Sequence, residues 1–98
     1  MLLDAIRGAI GRSRRVLREE SEVQMLRRCY AALTRREREV MAAVVAGRLN
    51  KQVAGDLGIS EITVKAHRGQ MMRKMKAESL PALVTMAARL GLRTAAQA

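Results

Sequence analysis

Phenylalanine and tryptophan are absent from the 98-residue chain, and Tyr30 is its one aromatic residue. A core must therefore be assembled from Leu, Ile, Val, Met and Ala, a mixture that suits helices better than strands. The same lack removes any aromatic platform for base stacking, so single-stranded RNA is a poor ligand. Cys29 has no second cysteine to pair with, and one thiol and one histidine, His67, make no metal site. No metal and no cofactor is expected. Paired acids and a phosphate-cradling glycine loop are both missing, so nothing points to an enzyme. No apolar run approaches the ~18 residues that cross a bilayer. The stretch from Leu2 to Ile10 is broken by Asp4 and Arg7. A signal-peptide pattern is also missing. The expectation is a soluble, cytoplasmic protein.

Acids are scarce as well. Nine Asp and Glu face 19 Lys and Arg, giving a net charge of +10 and a sequence pI near 11.4. Such an excess calls for a polyanionic partner, either nucleic acid or a membrane surface. The length allows one small domain with an accessory helix and excludes two-lobed or barrel enzymes.

Two regions separate by pattern. Residues 1–33 contain no proline and read as one long helix or two joined ones. Leu3, Ile6, Ile10 and Leu17 keep a 3–4 spacing with Ser13 in the gap. A second stripe of Val16, Val23, Leu26, Tyr30 and Leu33 then takes over, shifted as at a coiled-coil stutter. Gly8 and Gly11 weaken the first turns. Arg12, Arg14, Arg15 and Arg18 crowd the other faces. A linker helix and a dimerising coiled coil are both compatible with this pattern. Residues 34–93 punctuate themselves into four helices, and residues 94–98 read as a flexible tail.

Thr34 and Glu37 form a capping box, and Val40, Met41, Val44 and Val45 follow as a helical stripe ending at Gly47. Asn50 is positioned to cap a second helix carrying Val53, Ala54 and Leu57, with Gly58 as its stop. Ser60 can cap a third from Glu61 to about Lys76. Ser79 opens a fourth, with Pro81 in its first turn, where a missing amide costs nothing, and Gly91 closes it. No segment alternates like a strand. The fold class is all-α.

Asn50 to Gly69 has the anatomy of a helix-turn-helix: Ala54 where the helices cross, Gly58 in the turn, and Val53, Leu57, Ile59 and Val64 as apolar anchors. On a wheel at 100° per residue, Val64, Met71 and Met75 face the core. Ile62, Lys65, Ala66, Gly69, Arg73 and Lys76 fall opposite. That outer side suits the major groove of DNA, which admits a helix. Lys65 can reach guanine acceptors or phosphate, Ile62 and Ala66 a thymine methyl, and Gly69 allows close approach. Arg68 and Arg73 are assigned to phosphate, as is Thr63 with the free amides of the helix start. His67 falls toward the core edge. Lys51 is either a phosphate contact or merely solvated.

The stretch Leu33-Thr34-Arg35-Arg36-Glu37-Arg38-Glu39-Val40, Gly47, Asn50-Lys51-Gln52-Val53-Ala54, Leu57-Gly58-Ile59-Ser60 and Thr63-Val64-Lys65-Ala66-His67 resembles the LuxR-type helix-turn-helix. Met71-Met72-Arg73-Lys74-Met75 and Ser79-Leu80-Pro81-Ala82-Leu83-Val84 are most similar to the FixJ- and NarL-like branch of two-component response regulators. The resemblance runs from about Leu33 to Leu92. It implies a four-helix output domain that binds promoter DNA as a dimer and regulates transcription, with RNA polymerase as a further partner. It implies base contacts at Lys65, Ala66 and Gly69, and backbone contacts at Lys51 and Thr63. Gly69 departs from the longer side chain of many members. The resemblance further implies dimerisation through the fourth helix, with Leu80, Leu83, Val84, Ala87 and Leu90 packed inward. Ala82, Thr85, Ala88 and Arg89 are left for a partner. The N-terminal stretch resembles the end of a receiver and its linker. Asp4 and Asp56, the only aspartates, do not form a receiver's acidic pocket, so the expectation is an output half without its receiver. The alternative is a protein-interaction module that dimerises with a full-length regulator and modulates it without reading DNA. A membrane-surface helix is disfavoured by the lack of Trp and Phe.

Overall fold

The computed structural model describes residues 2–92, with side chains from residue 14 onward. Five helices follow one another: α1 (Leu2–Ala31), α2 (Arg35–Val45), α3 (Asn50–Leu57), α4 (Glu61–Met75) and α5 (Leu80–Arg89). No strand occurs among the described residues. The fold is all-α, as the composition requires.

The starts of the helices are set by side chains that satisfy amides left free by helix geometry. Thr34 Oγ1 accepts from the Glu37 N–H at 3.1 Å while Glu37 Oε1 accepts from the Thr34 N–H at 2.8 Å, completing the capping box. Ser60 and Ser79 cap α4 and α5 by accepting from the amides of Thr63 and Ala82. The start of α3 differs from expectation. Asn50 lies inside the helix, and Leu49 is the cap residue. The free Leu49 amide is answered by Gln52 Oε1 at 2.9 Å. Asn50 is thereby released for another task.

The stops share one device. Beyond α2, α3, α4 and α5, Gly47, Gly58, Lys76 and Gly91 take positive φ. In each case the next amide reaches back five residues: Arg48 to Ala43, Ile59 to Ala54, Ala77 to Met72, Leu92 to Ala87. Gly58, at φ 68° in the turn between α3 and α4, meets the need for a residue without a Cβ penalty. Lys76 adopts φ 57° with a full side chain, a conformation that costs roughly 1 kcal/mol.

Helix α4 is the hub, packing on α2, on α3 and on the end of α1. Its Val64, Met71 and Met75 are buried as the wheel requires, against Val40, Met41 and Val44 of α2, Val53 and Ala54 of α3, and Leu83 and Ala87 of α5. Unbranched methionines fill the space that aromatic rings occupy elsewhere. Each fully buried side chain of this size contributes roughly 1.5–3 kcal/mol.

One expectation fails at the periphery. Leu80 and Val84 of α5 do not pack inward: they are 36% and 40% exposed. Leu90 packs against the core as expected, and Met86, not among the residues expected there, joins it. Along α1 the second stripe is only partly used. Leu33, just beyond the helix, is buried, and Cys29 and Tyr30 lean on the core. Val16 and Leu17, however, are exposed. A helix supported at one end has nothing to bury its far end against. The remainder of the first stripe, Leu3, Ile6 and Ile10, and the tail residues 94–98 lie outside the described side chains.

Candidate nucleic-acid interface

The cap at Ser60 and the left-handed stop at Lys76 fix the length of α4. Core burial of Val64, Met71 and Met75 then fixes its rotation. The opposite side is left standing clear. Ile62 is 79% exposed, and Lys65, Ala66, Arg73 and Lys76 are exposed along the same side. Gly69 is half-buried, because the guanidinium of Arg73 lies over it: a Cβ there would sit 3.8 Å from Nη1. Thus Ile62, Lys65, Ala66, Gly69, Arg73 and Lys76 share one strip. From Glu61 to Lys76 the sequence holds five basic residues and one acid.

Three candidate residues lie off that strip. Lys51 is exposed in the first turn of α3. The Thr63 hydroxyl is 2.7 Å from the Ser60 hydroxyl, so the cap occupies part of its hydrogen-bonding capacity. Arg68 is half-buried, and its Nη1 donates to Asn50 Oδ1 at 3.0 Å. This bond is the task of the displaced Asn50. It ties α3 to α4, and the guanidinium assigned to phosphate has a protein partner. Nothing in the sequence marks a pair 18 residues apart. His67 is half-buried, at the core edge as the wheel places it.

A second cluster, missed in the sequence, supports the strip from behind. Lys74 Nζ donates to Glu37 Oε1 at 2.7 Å and to the carbonyl of Ala32 at 3.3 Å. The last turn of α4 is thereby tied to the start of α2 and to the chain leaving α1. Glu37 is 3% exposed. The Lys74 ammonium, followed by the Thr34 amide, holds its carboxyl below the ordinary 4.5, outweighing the opposing effect of burial. Two other acids of the domain are drawn into pairs away from α4: Glu39 with Arg35 and Arg36, and Asp56 with Arg48 in a two-pronged bond. Arg89, expected to be free for a partner, pairs with Glu22 of α1 at 2.8 Å.

Among the described residues no group of three or more His, Cys, Asp or Glu is placed to hold a metal. None of the described helices is long and apolar enough to cross a membrane.

The family described as "Bacterial regulatory proteins, luxR family" matches residues 31–87. Nodulation protein W of Bradyrhizobium diazoefficiens is 44% identical over 91 residues, which are 93% of this chain and 40% of that protein. The transcriptional regulatory protein FixJ of Azorhizobium caulinodans is 43% identical, over 93% of this chain and 43% of that protein. The chain thus spans about two fifths of the length of these curated relatives. Among solved structures, the response regulator StyR superposes with a TM-score of 0.76 at 40% identity, over 90% of this chain and 44% of that one. Full-length FixJ from B. japonicum gives 0.73 at 37% identity, over 92% of this chain and 44% of that one. The matched family is one of regulators and not of enzymes. The capping box, the Gly58 turn and the strip on α4 all fall inside the matched residues, and the chain belongs to the luxR family of bacterial regulatory proteins.

Proposed function

We propose that the chain binds double-stranded promoter DNA sequence-specifically, as a homodimer in the cytoplasm, and acts as the output domain of a two-component response regulator. The carrying observation is the strip of α4. Its exposed Ile62, Lys65, Ala66, Arg73 and Lys76 lie opposite buried Val64, Met71 and Met75, on a chain of net charge +10. In this reading residues 34–93 form the DNA-binding domain, with residues 1–33 as linker and 94–98 as tail. Helix α4 enters the major groove, Lys65 reads base acceptors, and Ile62 and Ala66 meet methyl groups. Lys51, Lys76 and Thr63 contact the backbone, and Arg68 does so from its bond to Asn50. The exposed Leu80 and Val84 of α5 supply an apolar face for the second copy, with α1 as an auxiliary contact. RNA polymerase is the further partner of a transcription factor so bound.

Selection from a random duplex pool tests the reading. The expected product is a pair of half-sites with centres about 10 bp apart. Affinity should fall steeply with salt as counterions return to the duplex. Lys65→Ala should relax sequence choice at one position of each half-site. Equal binding of all duplexes by the parent chain would overturn the proposal.

A further inference from the structure

The described arginines from position 34 onward are almost all engaged. Arg35 and Arg36 pair with Glu39, and Arg48 grips Asp56. Arg38 lies over the Tyr30 ring, 4.8 Å from its centroid, and donates to the Ala31 carbonyl. Arg68 bonds Asn50, and Arg89 bonds Glu22. Arg73 is different. Among the described residues its side chain takes part in no hydrogen bond or ion pair, and its guanidinium lies beside Gly69. Position 69, one turn earlier, has no side chain, and a Cβ there would stand 3.8 and 3.9 Å from Arg73 Nη1 and Nη2. Helical side chains lean toward the preceding turn. Here the guanidinium lies back over the gap, carried roughly 6 Å along the axis from its own Cα level. On the wheel Arg73 falls between Ile62 and Ala66, in the middle of the strip rather than at its flank. Its planar fork of unengaged donors therefore lies in line with Ile62 and Ala66.

From this geometry we infer that Arg73, seated over Gly69, is a sequence-determining residue: its guanidinium reads a guanine edge at the place where a side chain at 69 would otherwise contact the base. The inference rests on the DNA-binding reading above and changes the role of two residues within it. Gly69 contributes by being empty. Arg73 moves from gripping phosphate to offering two parallel N–H donors, the match for guanine O6 and N7. A longer side chain at 69 would displace the fork, whereas a methyl group is accommodated at ordinary contact distance.

The test compares sites selected from a random duplex pool by the 98-residue chain and by Arg73→Ala, Arg73→Lys, Gly69→Ala and Gly69→Leu, at one salt concentration. Circular dichroism confirms that each variant is folded. The parent is expected to prefer guanine at one position of each half-site by about 5- to 150-fold, the range of a bidentate pair. Arg73→Ala and Gly69→Leu should both erase that preference, the second without loss of charge. Arg73→Lys should weaken it by removing the fork, and Gly69→Ala should keep it. If Arg73→Ala instead weakens every duplex alike and lowers the salt slope by about one, while Gly69→Leu leaves site choice intact, Arg73 is a phosphate contact and the inference is overturned alone. If the parent itself selects no sequence, the DNA-reading proposal falls with it.

Discussion

Helix α1 and the bundle α2–α5 are built from the same amino acids yet held together by different means. The bundle buries Met41, Met71, Met75, Leu83 and four valines almost completely. Over its described side chains α1 buries little: Val16, Leu17 and Met25 are half exposed or more, while Cys29 and Tyr30 lean on the core. Beside that packing, polar bonds fasten α1 and the chain leaving it: Lys74 to the Ala32 carbonyl, Arg38 to the Ala31 carbonyl, and Glu22 to Arg89. The bundle stands on buried apolar area, which is large and non-directional. The junction with α1 has less of that area, from Cys29, Tyr30 and Leu33, and adds a few directional bonds, each modest in net effect. Apolar composition alone therefore does not tell where the stability lies.

Matched methionines give the largest contrast. Met71→Ala should cost about 2–5 kcal/mol, because a buried side chain leaves a cavity that relaxes only partly. Met25→Ala should stay within about 0.5 kcal/mol, as exposed substitutions do. Thermal or urea unfolding checks both, and equal losses would erase the distinction between the two regions. Next comes Glu37, where the two regions meet. Glu37→Ala should cost about 2–4 kcal/mol by removing half the capping box and the bond to Lys74. The sign of the pH effect follows from its lowered folded pKa. Unfolded, the carboxyl takes up a proton more readily than when folded. Its contribution is thus complete above about 4.5 and is lost as pH falls through the lowered folded value. Urea titrations between about pH 7 and pH 3 should show this acid loss in the parent and much less of it in Glu37→Gln. The smallest effect is expected at Arg89. Arg89→Ala breaks an exposed pair worth about 0.2–1 kcal/mol. Amide exchange should quicken a few-fold around Glu22 while the bundle's protection stays unchanged, and altered exchange in α4 would show the two regions to be less separable than described.

Much of the bundle was legible because its signals are local. Thr34 with Glu37, Ser60 and Ser79 each sit a few residues from the amides they satisfy. Val64, Met71 and Met75 follow one helical period. The strip of α4 was legible for the same reason, as the complement of a buried side. What escaped depends on neighbours distant in sequence. Asn50 looks like a cap until Arg68 claims its carbonyl oxygen, and Lys74 resembles any surface lysine until the fold brings Glu37 and Ala32 beside it. Helix α5 misled for another reason. Its Leu80-Pro81-Ala82-Leu83-Val84-Thr85-Met86-Ala87-Ala88 run is apolar nearly all round, so residue type does not distinguish Val84, which is exposed, from Met86, which packs inward. In α1 the regular stripe left the linker and coiled-coil readings both open, since periodicity records what a helix offers and not what is there to cover it.

Lys76 carries a consequence for anyone seeking a hardier variant. Three of the four helix stops in the bundle use glycine, and the fourth places a lysine in the left-handed region. A screen for heat resistance would be drawn to Lys76→Gly, which relieves the backbone, and would discard a positive charge from the end of the strip. At this one site endurance and grip on a polyanion select opposite residues, so a variant improved by the first criterion needs to be judged by the second.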